Sequence, residues 1–202
     1  MLKLDLRQQY AAYLKPSAKA AQLVDVPPLT FLMIDGRGNP NTAPSYKAAV
    51  EALYSVSYTL KFHFKKTRGL DYGVMPLEGL WWADDMDAFL QADKDAYLWT
   101  MMILQPDVVT PDVFAAIKPE VAKKKALPAL DALRLETYHE GLCAQILHIG
   151  PYAAEGPTIQ RLHEFIAAQG KQPTGKHHEI YLGDPNKSAP DKLKTIIRQP
   201  MG

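Results

Sequence analysis

The sequence predicts an α+β fold made of two β-α-β-β units, and three observations support this. Along the 202 residues, segments rich in β-branched and aromatic residues alternate with segments of helical periodicity. The two main helical segments each start near a proline, Pro44 and Pro157, which is favoured in the first helical turn. The order strand–helix–strand–strand also occurs twice. Two such units would form one mainly antiparallel sheet, with two helices flanking a central cleft.

The first half supplies the first set of elements. Tyr46, Ala49, Val50, Leu53, Val56 and Leu60 recur at helical spacing and give the helix one apolar face. In order, the predicted elements are the strand LTFLMI (29–34), the helix 44–61, the strand YGVMPLEGLWW (72–82) interrupted at Pro76, an acidic turn, and the buried strand AYLWTMMIL (96–104).

The second half repeats this order after a connector. Residues 106–128 form the connector, whose helix starts at Thr110-Pro111 and ends at Lys123-Lys124-Lys125, where cations suit the helix dipole. The remaining predicted elements are a hairpin of LRLETY (133–138) and LCAQILHI (142–149) around Glu140-Gly141, a helix from Pro157 to Gly170, the strand HHEIYL (177–182), and the last strand LKTIIRQP (193–200).

These elements predict one domain with internal pseudo-symmetry. Residues 1–26 are an N-terminal extension, and residues 27–202 are the domain. Its halves, about 27–105 and 129–202, are joined by the helical connector. Neither half is expected to bury enough apolar surface to be stable alone.

Composition excludes several classes of function. The net charge of +1 lacks the basic excess typical of nucleic-acid binding. A single cysteine, Cys143, excludes a disulfide framework and a multi-thiolate metal site. No apolar run reaches the roughly 20 residues that cross a bilayer, and MLKLDLRQQYAAYL lacks a signal-peptide core. We expect a soluble cytoplasmic protein that binds neither nucleic acid nor membranes.

The stretch GKHHEIYLGDP (175–185) carries the most chemistry. In a strand, His177, Glu179 and Tyr181 share one face, while His178, Ile180 and Leu182 share the other. An apolar surrounding would raise the pKa of Glu179 toward neutrality, as a general acid or base requires. The alternative is an exposed strand residue with an ordinary pKa, because an antiparallel sheet can face water.

Several of these motifs resemble a known family. HIGPY (148–152), the amphipathic helix after it, HHEIYLGDP (177–185) and LEGLWW (77–82) are similar to the GyrI-like small-molecule-binding domains. LEGLWW resembles the tryptophan-pair motif of their stand-alone members. The resemblance covers most of residues 27–200 and implies a duplicated fold around a cleft for bulky, planar or apolar molecules, including cationic ones.

The resemblance also implies activities and site residues. The tryptophan-pair branch hydrolyses cyclopropane-bearing DNA-alkylating toxins, other members are effector modules of transcription regulators, and one inhibits DNA gyrase. Glu179 resembles the family's pocket carboxylate. The 26 residues before the domain are too few for the regulators' DNA-binding helices, so a direct role in transcription is not expected.

Aromatic and acidic residues near Glu179 complete the predicted site. Trp81 and Trp82 would point to opposite faces of an extended strand. The alternative for this pair is that both tryptophans lie in the core. Glu78 could be a second carboxylate of the site, and its alternative is an ordinary surface glutamate. The predicted catalytic residues are Glu179 with Tyr72 or Tyr138, and the predicted ligand-binding residues are Trp81, Trp82, Tyr152, Tyr181, Glu78 and His177.

Metal, thiol and nucleotide chemistry are not supported. The histidines lack ligand spacing, Cys143 has no nucleophile signature, and GRG (36–38) lacks the third glycine of a dinucleotide-binding loop. No cofactor is expected. Two hypotheses remain: a hydrolase that opens a cyclopropane ring by water addition, and a non-catalytic protein that binds or sequesters drugs or contacts gyrase. LEGLWW and the missing DNA-binding module favour the enzyme.

Overall fold

The computed structural model describes residues 1–84, 93–185 and 187–202. Residues 85–92, which hold most of the predicted acidic turn, lie outside this description. The chain forms two compact units. The first unit comprises Met1–Gln9, Leu29–Met75 and Trp82–Tyr138, and the second comprises Tyr10–Pro28, Pro76–Trp81 and His139–Gly202.

The described residues contain ten strands and five helices. The strands are β1 (Leu2–Leu4), β2 (Gln22–Val26), β3 (Leu29–Arg37), β4 (Leu70–Tyr72), β5 (Leu77–Trp82), β6 (Leu98–Leu104), β7 (Arg134–Tyr138), β8 (Gly141–Ile149), β9 (His177–Tyr181) and β10 (Lys194–Pro200). The helices are α1 (Leu6–Gln9), α2 (Ala11–Leu14), α3 (Pro44–Arg68), α4 (Pro111–Lys124) and α5 (Gly156–Ala168).

The first unit packs α3 against a small antiparallel sheet. Strand β3 is central there and pairs with β6 on one side and β7 on the other. The helix runs seven residues beyond the predicted end at residue 61 and stops at Gly69, whose φ of 62° suits glycine. Its buried face, which matches the predicted apolar stripe, consists of Ala49, Ala52, Leu53, Val56, Ser57, Leu60 and Phe64. A separate parallel pair joins β1 to β4.

The second unit is a five-stranded antiparallel sheet in the order β2-β8-β10-β9-β5. Helix α5 packs on it because Leu162 and Ile166, one helical turn apart, meet Ala144, Ile146 and Ile197 of the sheet. The chain order β8-α5-β9-β10 is the predicted strand–helix–strand–strand unit. The α+β class with mainly antiparallel strands is therefore confirmed.

The predicted hairpin of residues 133–149 is wrong. Strand β7 pairs with β3 in the first unit, whereas β8 pairs with β10 and β2 in the second. Alternating side chains predict which face of a strand is buried, but they leave the pairing partner open. The backbone does turn at Gly141, where φ is 73°.

The N-terminal residues are folded into both units. Strand β1 and helix α1 belong to the first unit, while α2 and β2 belong to the second. Leu6, Tyr10, Leu14 and Val26 are buried. A boundary at residue 26, as the sequence predicts, stays a prediction. No helix among the described residues has the length and apolar character needed to span a membrane.

Candidate ligand-binding site

Strand β9 presents two chemically different faces in the second unit. Ile180 and His178 are 1% exposed on one face. On the other, the side chains of His177 and Glu179 keep 10% and 17% of their surface exposed. The alternation predicted for GKHHEIYLGDP is present, since β9 is bordered on both sides by straight antiparallel registers with β10 and β5.

A chain of hydrogen bonds ends at Glu179. The Trp81 indole Nε1 donates to the Tyr181 hydroxyl at 3.0 Å. That hydroxyl donates its proton to Glu179 Oε2 at 2.7 Å. His177 Nε2 lies 3.3 Å from the other carboxylate oxygen, Oε1. We call Trp81, His177, Glu179, Tyr181 and Tyr152 the Glu179 cluster.

The pKa of Glu179 is lowered, and the predicted rise is therefore wrong. Burial does favour the neutral carboxyl and alone would raise the pKa. The hydrogen bond and charge of His177, the Tyr181 hydroxyl and the charge of His178 outweigh it. Glu179 is consequently an anion at neutral pH, suited to orient water or to hold a cation, and unsuited to act as a general acid.

Aromatic rings border this carboxylate. The Tyr152 ring meets the Tyr181 ring edge-on, with centroids 5.6 Å apart and planes at 75°. Tyr152 is 38% exposed, whereas Trp81 is only 6% exposed. Trp81 therefore supports Tyr181 from within the unit, while Tyr152 offers ring surface to solvent. The Tyr181 proton is already donated to Glu179, so this hydroxyl does not donate to a ligand carbonyl.

The opposite face of β9 holds a buried charge network that the sequence analysis missed. His178 Nδ1 lies 2.9 Å from Glu140 Oε1, and His178 Nε2 lies 3.0 Å from Glu78 Oε2. Arg198 Nη1 donates to Glu140 Oε2 at 3.0 Å. The Arg198 guanidinium also donates to Gln145 Oε1 and to the Tyr13 carbonyl oxygen. We call Glu78, Glu140, Gln145, His178 and Arg198 the His178 network.

The network fixes the charge of its members. Burial lowers the pKa of His178, but the Glu140 and Glu78 carboxylates outweigh burial and raise it to about 9. Burial raises the pKa of Glu140, but His178 and Arg198 outweigh it and lower the value to about 2. His178 is therefore a cation and Glu140 an anion at neutral pH. A cation inside the apolar strand TIIRQP, together with the His-His pair, is the sequence signal that could have revealed it.

Two further expectations concern this face. The surface position expected for Glu78 is wrong, since Glu78 is 3% exposed and paired with His178. Burial and the Glu140 carboxylate raise the pKa of the Cys143 thiol, which agrees with its interpretation as a buried apolar side chain. Among the described residues, no group of three or more His, Cys, Asp or Glu is arranged to hold a metal ion.

The remaining predicted site residues lie in the first unit. Tyr72 is 4% exposed at the end of β4, Tyr138 is half-buried at the end of β7, and Trp82 is half-buried at the end of β5. The structure therefore brings together Trp81, Tyr152, His177, Glu179 and Tyr181 in one cluster, and separates Glu78 from them on the other face of the sheet.

The fold and this cluster define a class of α+β domain with a carboxylate among aromatic rings, suited to small organic molecules. Residues 20–200 match the GyrI-like small molecule binding domain, and the chain belongs to this family. The comparison with curated proteins gave no match.

Solved structures agree with the family assignment. An uncharacterized conserved protein from Listeria innocua is 36% identical with a TM-score of 0.91, over 98% of this chain and 100% of that chain. A hydrolase from Listeria innocua is 35% identical with a TM-score of 0.86, over 98% and 100% of the two chains. The EcmrR C-terminal domain, at 12% identity and a TM-score of 0.55 over 90% and 96%, shares the fold.

Proposed function

We propose that the protein is a cofactor-independent hydrolase that opens the strained ring of bulky, planar, cyclopropane-bearing DNA-alkylating compounds by adding water. The observation that carries this proposal is the ionised Glu179 carboxylate, hydrogen-bonded by Tyr181 and bordered by aromatic rings. The 35% identity to a Listeria innocua protein described as a hydrolase supports it. Detoxification would follow because the opened ring no longer alkylates DNA.

Glu179 would act on the water nucleophile. Its lowered pKa makes it a weak base, so its main contribution is to accept a hydrogen bond and aim the water oxygen at the ring carbon. The water oxygen bonds to that carbon as the ring C–C bond breaks, and the electron pair moves to the conjugated carbonyl oxygen. One water proton passes to Glu179 and on to solvent, and the carbonyl oxygen gains a proton.

A tyrosine hydroxyl would stabilise the negative charge that develops on the carbonyl oxygen. The sequence predicts Tyr72 or Tyr138 for this role, and the Tyr181 proton is already donated to Glu179. Tyr152, whose partly exposed ring lies beside Tyr181, would contact the planar body of the substrate, since aromatic faces stack on planar ligands. His177, which lies beside Glu179, would hold the carboxylate in its ionised form.

A second function, non-catalytic binding of planar organic cations, is favoured by the same carboxylate. An anion beside aromatic rings attracts cations through charge and through the ring faces. In that case Glu179 would contribute to binding affinity and not to catalysis.

Incubation with a synthetic spirocyclopropyl cyclohexadienone, followed by mass spectrometry, tests the hydrolase. We expect a product heavier by one water, formed at least about 100-fold more slowly by Glu179→Gln. Glu164→Gln, an exposed glutamate on α5, is the matched control and should keep the wild-type rate.

The outcomes separate the two functions. Saturable binding without turnover by the wild-type protein would favour the non-catalytic binder. Turnover that is unchanged in Glu179→Gln would overturn the mechanism. Tyr72→Phe and Tyr138→Phe, measured in parallel, identify which hydroxyl serves the carbonyl oxygen.

A further inference from the structure

Helix α3 carries three aromatic side chains outside the face that it buries in the first unit. Tyr54, Tyr58 and Phe62 follow one another at intervals of four residues, so they form one ridge along the helix. Tyr54 is half-buried, whereas Tyr58 and Phe62 are 48% and 56% exposed. We call these three residues the aromatic ridge.

The rings of the aromatic ridge are stacked on one another. The centroids of Tyr54 and Tyr58 are 6.3 Å apart with planes at 29°, and those of Tyr58 and Phe62 are 6.4 Å apart with planes at 25°. Because the rings hold each other in place, a partner that binds them orders few additional side chains. Single exposed apolar residues are common on soluble proteins, whereas a contiguous exposed group indicates an interaction surface.

Opposite charges lie at equal distances from the middle of the ridge. Glu51 precedes Tyr58 by seven residues, and Lys65 follows it by seven. Seven residues are about two helical turns, so both charges lie on the same side of α3 as Tyr58. The side chains of Glu51 and Lys65 are 45% and 41% exposed.

Both charges can take a second partner. The ion pair of Glu51 with Lys125 is exposed on both sides, and such pairs contribute little free energy. Lys65 pairs with Asp71, but Asp71 is also compensated by Lys61, whose Nζ lies 2.9 Å from Oδ1. Lys65 is therefore the second cation on a single carboxylate.

This arrangement is self-complementary under a two-fold rotation. When α3 of a second copy runs antiparallel and crosses at Tyr58 with a shallow angle, Tyr54 meets the partner's Phe62. The same rotation sets Glu51 beside the partner's Lys65, and Lys65 beside the partner's Glu51. An isologous dimer requires such a match between a surface and itself. An acidic helix or an anionic membrane would complement Lys65 but would be repelled by Glu51.

We propose that the protein forms a two-fold symmetric homodimer through the aromatic ridge, with Tyr58 on the axis and a Glu51–Lys65 ion pair between the two copies at each end. This surface goes beyond the proposed hydrolase and uses none of the residues assigned to it.

The dimer should be weak and reversible. A fully buried aromatic side chain accounts for about 150–250 Å², so the exposed halves of Tyr58 and Phe62 supply a few hundred Å² at most in each copy. A stable interface of standard size needs roughly 800 Å² per partner. We therefore expect a dissociation constant of about 10–100 μM.

Sedimentation velocity of the full chain over a series of concentrations tests the proposal. We expect wild type to change from monomer to dimer as its concentration rises. Tyr58→Arg should weaken the dimer at least about tenfold, because it sets two like charges against each other on the axis. Gln160→Arg is the matched control, since it adds the same charge at an exposed position of α5, and it should dimerise like wild type.

Charge exchange between copies tests the register. Glu51→Lys and Lys65→Glu should each be monomeric where wild type dimerises, because every ion pair becomes a contact of like charges, while Lys61 keeps Asp71 compensated. An equimolar mixture of the two variants should dimerise like wild type, since a mixed dimer restores both pairs. Glu51 and Lys65 of one copy are about 21 Å apart along α3, so this recovery can arise only between chains.

Three results would overturn the proposal. The first is a wild-type protein that stays monomeric up to about 1 mM, including one that binds anionic vesicles or an acidic peptide instead. The second is a Tyr58→Arg variant that dimerises like wild type, and the third is a mixture of the two charge variants that stays monomeric while wild type dimerises.

Discussion

The two faces of β9 carry similar side chains in different environments. Each face has a histidine beside a glutamate: His177 with Glu179 on one, and His178 with Glu78 on the other. On the His178 face the side chains of His178, Glu78, Glu140 and Arg198 are at most 3% exposed. On the Glu179 face, 10% and 17% of the two side chains remain exposed.

This difference separates a face that holds strands together from a face that solvent can reach. In the His178 network each charge has an opposite charge within 3.0 Å, so it can hold strands together but offers nothing to a ligand. Glu179 is stabilised as an anion by its neighbours and is still reachable. Residue type and charge alone therefore do not mark a binding face, whereas the degree of compensation and exposure does.

Removing a charge from the compensated face should have the largest effect. Arg198→Met leaves Glu140 buried with one cation fewer and frees Gln145 and the Tyr13 carbonyl oxygen. Breaking a buried ion pair in this way costs about 3–5 kcal/mol of unfolding free energy, measured by urea denaturation at pH 7. Arg161→Met, which removes an exposed arginine bonded to the Lys19 carbonyl oxygen, should cost less than about 1 kcal/mol. Equal losses in the two variants would contradict the distinction between the faces.

The stability of the compensated face should also depend on alkaline pH. The pKa of His178 is about 9 in the folded protein against the ordinary 6.5, so its stabilising contribution is complete below pH 6.5 and is lost as pH rises through about 9. The difference between these two pKa values corresponds to a stabilisation of the folded protein by roughly 3 kcal/mol. We expect the difference in unfolding free energy between wild type and His178→Gln to shrink by this amount between pH 6 and 10. A difference that is constant over this range would show that His178 is not held as a cation, and His163→Gln, exposed on α5, should show no such trend.

The sequence was sufficient for the features that depend on periodicity. The face shared by His177, Glu179 and Tyr181 followed from alternation, and the apolar stripe of α3 followed from helical spacing. The choice of Glu179 as the pocket carboxylate came from the family resemblance and stays a prediction. These features depend on residues that are close together in the sequence, so the sequence pattern alone predicts them.

The sequence was insufficient where a property depends on distant partners. The lowered pKa of Glu179 arises from its chain neighbours His177, Tyr181 and His178. The sequence does not say whether their effect exceeds that of burial, because burial is set by the distant strands β5 and β10 that flank β9. Glu140 and Arg198 are 58 residues apart in the chain, and no spacing rule connects them. The pairing of β7 and β8 with different strands failed for the same reason, because register patterns do not name the partner strand.

Tyr181→Phe should have the smallest effect on stability, and it tests how Glu179 is held as an anion. The variant keeps the ring but removes the hydroxyl that donates to Glu179 Oε2 and accepts from Trp81 Nε1. Because one hydrogen bond to the ionised carboxylate is lost, the pKa of Glu179 should rise toward its ordinary value, as followed by NMR of the carboxyl carbon. The unfolding free energy of the variant at pH 7 should be about 1–2 kcal/mol lower than that of wild type. A carboxyl group whose pKa is lowered in the folded protein stabilises the fold at pH values above its ordinary pKa of 4.5. The stability lost in Tyr181→Phe should therefore diminish as the pH falls below 4.5. If the pKa of Glu179 stays where it is in wild type, Tyr181 does not hold the carboxylate as an anion, and the relay from Trp81 through Tyr181 to Glu179 has no electrostatic role.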